Sequence, residues 1–391
     1  MVAPSGPTAR SVVRPTLPRS TARRDLVRVV IAPDSFGGTL SATAAAAAIA
    51  TGWRTTHPDA DVEVVPMSDG GEGLLDALLA GGLAGGEVRE REVVDPRGLA
   101  TTARWLLDGD TAVVESAEAC GLHLLDRDRR DPRRATTWGV GQLLDTAREA
   151  GARRILVGLG GTATVDGGAG ALSGLGFRLT VADGSGLKIG GEDLPRVTGA
   201  ARTWVGDWDG LEVVLLADVD DALLAAPAVY GPQKGADEAT VAHLERGLAA
   251  WRVVAEQDLG AAPDLADAPG TGAAGGLGYG LAAGLGAAFA PGADTVADLQ
   301  GLDQAIAGAD LVVTGEGRLD GTTAAGKVVA AVTRTATSSG VPTAAVVGSA
   351  AVPGDGLADL EEAAPDGPGA DPAGEVAAAA ARLAGRWAQG S

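Results

Sequence analysis

Five times along this chain a short apolar run empties into a loop made of glycine, hydroxyl and carboxylate residues. The segments are IAPDSFGGTLSA (31–42), VPMSDGGEG (65–73), RRILVGLGGTATVDGGAG (153–170), LLADVDDALL with YGPQKGA downstream (215–236) and LVVTGEGRLDGTTAAGK (311–327). Continuous Val- and Leu-rich runs suit strands covered on both faces, the setting of parallel sheets, and ligands of such sheets bind at the loops that follow the strands. One such loop is an ordinary turn. Five of them, holding two of the chain's three lysines, point to a shared site.

The element order supports an α/β fold. Val27–Ile31 reads as a strand, 41–55 as an Ala-rich helix capped by Ser41, Val62–Val65 as a second strand and Gly73–Leu79 as a helix, a βαβα series that favours parallel pairing. The same order returns at Asp310–Val313 and Thr343–Val347, joined by a helix over 326–337. Between them lie short strands at 93–94, 112–115, 155–157 and 213–216 and a helix over 237–259, whose Val241, Leu244, Leu248 and Trp251 form a stripe that leaves His243 toward solvent. Residues 351–374, rich in Pro, Gly and acids, read as a loop before a last helix near 375–386. At 391 residues the chain exceeds the ~250–300 at which one core stops growing, so two domains are expected.

Composition narrows the function. A net charge of −20 argues against nucleic acid, whose binding needs clustered Lys and Arg. The single Cys120 excludes an internal disulfide and reads as a packing residue, which fits a reducing, cytoplasmic setting. His57, His123 and His243 show no zinc spacing. The uncharged stretch 269–293 is too poor in large side chains for a membrane span; Leu277, Leu281, Leu285 and Phe289, four apart, read as one buried stripe of a Gly/Ala helix. Residues 1–24, with five arginines and no acid, read as a disordered extension.

The loops carry phosphate chemistry. In 153–170, Gly158, Gly160 and Gly161 permit tight turns that bring N–H groups to an anion, Thr162 and Thr164 add hydroxyls, and Asp166 precedes a helix and can hold a metal ion or a substrate hydroxyl. Taken alone, an ordinary glycine-rich connection explains the segment equally well. Lys234 and Lys327 stand in Gly-flanked loops suited to phosphate, and Lys188 is the third lysine. Glu316 and Asp320 flank Arg318, offering a Mg²⁺ ligand beside a fixed cation, or a local ion pair; Asp34 and Asp69 can accept a hydroxyl proton, or cap helices. Phosphoryl transfer requires mainly positioning and charge neutralisation, which these residue types supply without His or Cys.

Taken in order, IAPDSF, MSDGGEG, GLGGTATVDGGAG, YGPQKGA, GAAGGLG and ADLVVTGEGRLDG resemble the signature segments of the type 1 glycerate kinase family, the bacterial glycerate 2-kinase-like enzymes, from about Val27 to Gly348. The resemblance implies ATP- and Mg²⁺-dependent phosphorylation of D-glycerate, with the 2-position favoured, by a monomer or homodimer whose partner is a small molecule rather than a nucleic acid or a membrane. It implies a cleft between two α/β domains: a flavodoxin- or Rossmann-like parallel-sheet domain (26–84 with 291–391) and a mixed-sheet domain (85–290) inserted into it. Carried onto this sequence, the catalytic candidates are Asp166, Lys234, Arg318 and Asp320. The binding candidates are Asp34, Ser35, Asp69, Glu72, Gly160, Gly161, Thr162, Thr164, Asp218, Glu316 and Lys327, with Asp166, Glu316 and Asp320 as Mg²⁺ ligands.

The chain departs from the family pattern at Gly37 (Lys in many relatives), Val165 (Asn), Asp220–Asp221 (Thr-Asn) and Ala325 (His), and its tail after Gly348 is shorter and lacks a clear final strand. Those departures leave two other readings open: a kinase for a related small hydroxy acid, and a degenerate paralogue that binds a metabolite without turnover.

Overall fold

The computed structural model describes residues 26–390 apart from 84, 321–326, 365, 366 and 368. The fold opens with β1 (Arg28–Pro33), α1 (Ala42–Thr56), β2 (Asp61–Val64) and α2 (Leu74–Leu79). There follow β3 (Glu87–Val94), β4 (Ala100–Asp108), β5 (Thr111–Glu115), α3 (Ser116–Cys120), α4 (Trp138–Glu149), β6 (Arg154–Gly158), α5 (Ala169–Gly174), β7 (Phe177–Val181), β8 (Val197–Arg202) and β9 (Glu212–Leu216). Next come α6 (Ala226–Tyr230), α7 (Glu238–Val254), α8 (Ala273–Leu285) and β10 (Ala288–Ala290). The chain closes with α9 (Gly292–Gln300), α10 (Leu302–Ile306), β11 (Leu311–Leu319), α11 (Val328–Ser338), β12 (Thr343–Ala350), β13 (Asp359–Glu362) and α12 (Pro372–Gly390).

Two sheets organise these elements. The first is all parallel in the order β2-β1-β11-β12-β13, the flavodoxin arrangement in which the chain leaves β1 toward one edge and β11 toward the other. The switch point therefore lies between the carboxyl ends of β1 and β11, where Asp34 N–H donates to the Gly315 carbonyl at 2.8 Å. The second sheet runs β3-β4-β5-β6-β9-β10, antiparallel from β3 to β5 and parallel from β5 to β10, with β7 and β8 forming a separate hairpin.

One face of the first sheet is covered by α1 and α12. Ser41 Oγ accepts from Ala44 N–H at 3.2 Å and starts α1, and Ile49 and Trp53 pack with Val376 and Leu383. The helices meet at Gly52, where a Cβ would lie 2.0 Å from the Ala377 carbonyl oxygen, so any larger residue would force them apart. The other face shares a core with the second sheet: Val30 and Val312 meet Leu74, Leu78, Val296 and Val332, which also pack against Leu106, Val113, Leu156 and Leu216. At ~1.5–3 kcal/mol for each large apolar side chain fully buried, this shared layer of α2, α9 and α11 ties the sheets firmly together.

Several elements differ from the sequence reading. The segment 351–374 contains β13, paired parallel to β12 from Ala344↔Asp359 to Val347↔Glu362, so the first sheet does have a final strand. Its DLEE sequence reads as loop, but Asp359 and Glu361 are paired with Arg386 and Arg382 of α12. Phe289 lies on β10 rather than on the Gly/Ala helix, while Leu277 and Leu281 are fully buried as the stripe predicts. His243 is half-buried rather than fully solvated, its ring bonded to the Glu192 carbonyl at 2.8 Å. Among the described residues, no helix is long and apolar enough to cross a membrane.

Candidate active site

The loops at the carboxyl ends of both sheets face one another across two adjoining cavities that share Asp34, Ser35, Gly37, Thr39 and Asp69 in their walls. The larger, about 770 Å³, is walled from the second sheet by Gly160, Gly161, Thr162, Asp218 and Lys234 and from the first by Asp34, Asp69 and Glu72. The smaller, about 350 Å³, belongs to the first sheet and holds Glu316, Arg318 and Lys327 with Phe36, Pro372 and Val376.

Lys234 sits in a short turn between α6 and α7 and is 3% exposed. Its ammonium donates to Thr162 Oγ1 at 3.2 Å and to the Thr164 carbonyl at 2.8 Å and lies 5.8 Å from the centre of the Tyr230 ring. Burial lowers its pKa to about 8. Thr162 and Thr164 thus aim the lysine, one by its hydroxyl and one by its carbonyl; the buried Thr164 side chain itself points to the Ala274 carbonyl.

The glycines of this loop do two different jobs. A Cβ at Gly158 would lie 2.6 Å from the Gly70 carbonyl oxygen, and one at Gly160 would lie 2.5 Å from Gly71 Cα. These positions let the second sheet's loop seat against the first sheet's MSDGGEG loop, backbone on backbone. Gly161, at φ +63°, makes the tight turn.

Asp166 lies apart from both cavities. It is fully buried, and its carboxylate accepts from Thr137 N–H (2.9 Å), Thr137 Oγ1 (2.9 Å), Gly168 N–H (3.1 Å) and Gly170 N–H (3.3 Å). Those bonds tie α4 to the start of α5; burial raises its pKa above the usual carboxylate value. Val165 is likewise fully buried in the core of the second sheet, away from both cavities. Asp218 does line the larger cavity, but its two oxygens accept from Gly292 N–H (2.8 Å) and Ala293 N–H (2.7 Å), capping α9, and burial pushes its pKa up to about 6.

On the first sheet, Asp34 directly follows β1 and Glu316 lies within the paired strand β11. The Asp34 carboxyl is held well above the usual carboxylate range by desolvation and then by the neighbouring Asp69 and Glu316. Asp69 Oδ1 accepts from Gly71 N–H at 2.9 Å, shaping its own turn. Arg318 is exposed, 3.9 Å from Asp320, which is in the wall of neither cavity. Lys327 stands at the start of α11 in the smaller cavity, and Ala325 lies outside the described residues.

Among the wall residues of the larger cavity that the sequence does not single out are Glu115, Arg104, His123 and Tyr230. Glu115 ends β5 and accepts from Gly73 N–H (2.8 Å) and Leu75 N–H (3.1 Å); burial pushes its pKa up to about 7. Arg104 is engaged by Glu118 (2.6 Å) and Asp76 (2.9 Å), and His123 Nδ1 is 3.6 Å from Glu72. Tyr230 donates to Asp221 at 2.6 Å, which fixes the ring beside Lys234. Buried Cys120, its thiol pushed up to about 12, packs in the core as expected.

Comparisons with known proteins identify the family. The Glycerate kinase family model matches residues 29–388. Glycerate kinase of Halalkalibacterium halodurans is 39% identical over 330 residues, covering 82% of this chain and 85% of that protein, and glycerate 2-kinase of Escherichia coli K12 is 38% identical over 335, covering 83% and 85%. A crystal structure from Salmonella typhimurium LT2 described as a glycerate kinase 2 superposes with a TM-score of 0.79 at 34% identity, over 94% of this chain and 99% of that one. With strand ends, glycine loops and buried lysine arranged about a common cleft, and with this likeness running nearly end to end, the chain belongs to the glycerate kinase family and is a kinase.

Proposed function

We propose that the chain transfers the γ-phosphoryl group of ATP to D-glycerate, with the 2-hydroxyl as acceptor, in the cytoplasm, and that it is built as two α/β domains, 85–290 being inserted between 26–84 and 291–391. The observation that carries this reading is the pair of adjoining cavities with a common wall at Asp34 and Asp69. The smaller cavity lies at the switch point of a parallel sheet, where nucleotides bind in doubly wound folds, and it combines an apolar wall (Phe36, Pro372, Val376) with two cations, Arg318 and Lys327. The larger offers a small acid the Lys234 ammonium and the N–H groups of the 160–162 turn.

The donor set fits a nucleotide-borne Mg²⁺. Asp34, Asp69 and Glu316 supply hard oxygens close enough to raise the Asp34 pKa, and a divalent cation relieves that repulsion. Among the described residues no group of three His, Cys, Asp or Glu is placed to clasp a metal alone, so the ion would be shared between one or two of these carboxylates and phosphate oxygens. Bound there, Mg²⁺ would neutralise charge developing on the phosphoryl oxygens. Asp166 lines neither cavity, and its role is to tie the start of α4 to the start of α5. Asp34 and Asp69, in the common wall, are our candidates for accepting the acceptor's hydroxyl proton.

Gly37 opens the common wall, since no atom lies within 4 Å of where its Cβ would be, whereas buried Val165 leaves the acceptor pocket unchanged. A coupled ADP-release assay with D-glycerate, L-glycerate and other small hydroxy acids, followed by NMR of the product, tests the reading. D-glycerate-dependent turnover to the 2-phosphate supports it; binding without turnover, or preference for another acid, overturns it.

A further inference from the structure

The two halves of the cleft are joined along a narrow seam at the carboxyl edge of the second sheet. There β5, β6 and β9 lie side by side. The central strand sends its 158–161 loop against Gly70 and Gly71, and a Cβ at Gly70 would in turn lie 2.8 Å from Leu216 Cβ. At the end of β5, and two residues beyond the end of β9, a carboxylate reaches across to backbone N–H groups opening a helix of the first sheet's side: Glu115 to Gly73 and Leu75 at α2, Asp218 to Gly292 and Ala293 at α9. Both carboxylates also form part of the wall of the larger cavity.

We infer that Glu115 and Asp218 are a matched pair of positioning residues that fix the separation between the nucleotide-side and acid-side halves of the reaction centre. Both span the seam, and each takes one N–H on each of its two oxygens, so a neutral amide of the same size would set an NH2 donor against one of the two N–H groups. The inference rests on the proposed kinase reading only for its kinetic consequence. Under that reading the ligands' own contacts lie largely within one half each: Arg318 and Lys327 on one side, Lys234 and Thr162 on the other. A loosened seam therefore leaves binding within each half largely intact and misplaces the two reacting groups relative to each other. In-line transfer is sensitive to such shifts, since a displacement on the order of 1 Å can cost ~100-fold.

The test is Glu115→Gln, Asp218→Asn and the double variant in the full chain, read by steady-state kinetics and by amide hydrogen exchange. The expected result is kcat lower by ~10-fold or more in each single variant, with either KM changed less than about threefold. The double variant should fall less than the product of the two single effects, because both act on one separation. Exchange at Gly73 and Leu75 should quicken in Glu115→Gln, and at Gly292 and Ala293 in Asp218→Asn. Unchanged kcat, or a raised KM at constant kcat, overturns the inference, the second by making the carboxylates ligand contacts. Hydrogen exchange separates this failure from failure of the kinase reading: a wild-type chain without turnover but with quickened exchange in the variants loses the kinetic role and keeps the seam. Unchanged exchange removes the seam itself.

Discussion

Replacing Lys234 by methionine removes a charge and little volume, and the consequences can be worked out from its surroundings. Burial moves the ammonium pKa from 10.5 to about 8, and at ~1.4 kcal/mol per pH unit that difference amounts to about 3 kcal/mol against the charged form in the fold. The unfolded chain, holding its proton up to 10.5, binds more protons than the native chain between about 8 and 10.5. Stability contributed through this group therefore carries the full penalty below pH 8 and recovers as pH rises through that window. Lys234→Met has no proton to lose. The difference in unfolding free energy between wild type and variant should climb in favour of wild type by about 3 kcal/mol from pH 7 to pH 10.5, measured by urea denaturation at intervals of one pH unit. Subtraction cancels the groups that do not sense Lys234, including the Tyr230 and Tyr279 hydroxyls, whose ionisation burial delays to above the usual range; the Cys120 thiol, which does sense it, is removed from the comparison by carrying Cys120→Ala in both chains. Turnover at pH 7 should fall by at least ~100-fold, since the positive charge would be lost from a preorganised site. A free-energy difference that does not vary with pH would refute the picture of a buried, solvent-deprived cation.

Other perturbations separate structural from reactive residues. Asp166→Ala leaves the Thr137, Gly168 and Gly170 N–H donors without their acceptor, at ~1–3 kcal/mol each, so a fall in stability of at least ~3 kcal/mol is expected by thermal or urea melting; near-wild-type stability would contradict the assignment. Gly160→Ala pushes a methyl to 2.5 Å from Gly71 Cα and should cost ~1–3 kcal/mol by the same assay, whereas Gly385→Ala, in an open stretch of α12, should gain ~0.5–1 kcal/mol. Arg318→Gln and Lys327→Gln should each raise the nucleotide KM by ~10-fold, and added salt should shrink that difference, because an exposed cation acts through screened charge; a rise in the glycerate KM instead would reverse the allocation of the two cavities.

Much of this architecture is legible in the residues. β1, β6, β9 and the start of β11 are uninterrupted apolar runs, and the loops that follow them do assemble about one cleft. Ser41 and Asp237 announce the starts of α1 and α7, whose first turns they cap. What the sequence hides is long-range or masked by composition. β13 is acidic along its length and holds together through arginines of α12 more than 20 residues away. The partner of Glu115 is 42 residues distant, so no local pattern marks it as different from any strand-end glutamate. Asp166 and the 158–161 glycines have the same look whether they bind an anion or knit loops together. Only the packing of Thr137 against one and of Gly70 and Gly71 against the other reveals the structural role.

The central claim is that both substrates meet over Asp34 and Asp69. The most direct measurement is a crystal structure of the full chain with a non-hydrolysable ATP analogue, Mg²⁺ and D-glycerate. The analogue is expected in the cavity of Arg318 and Lys327, the glycerate against Lys234, and the γ-phosphate pointing at the acid's 2-hydroxyl across the common wall. Ligands found in separate, non-communicating places, or a glycerate remote from Lys234, would contradict it.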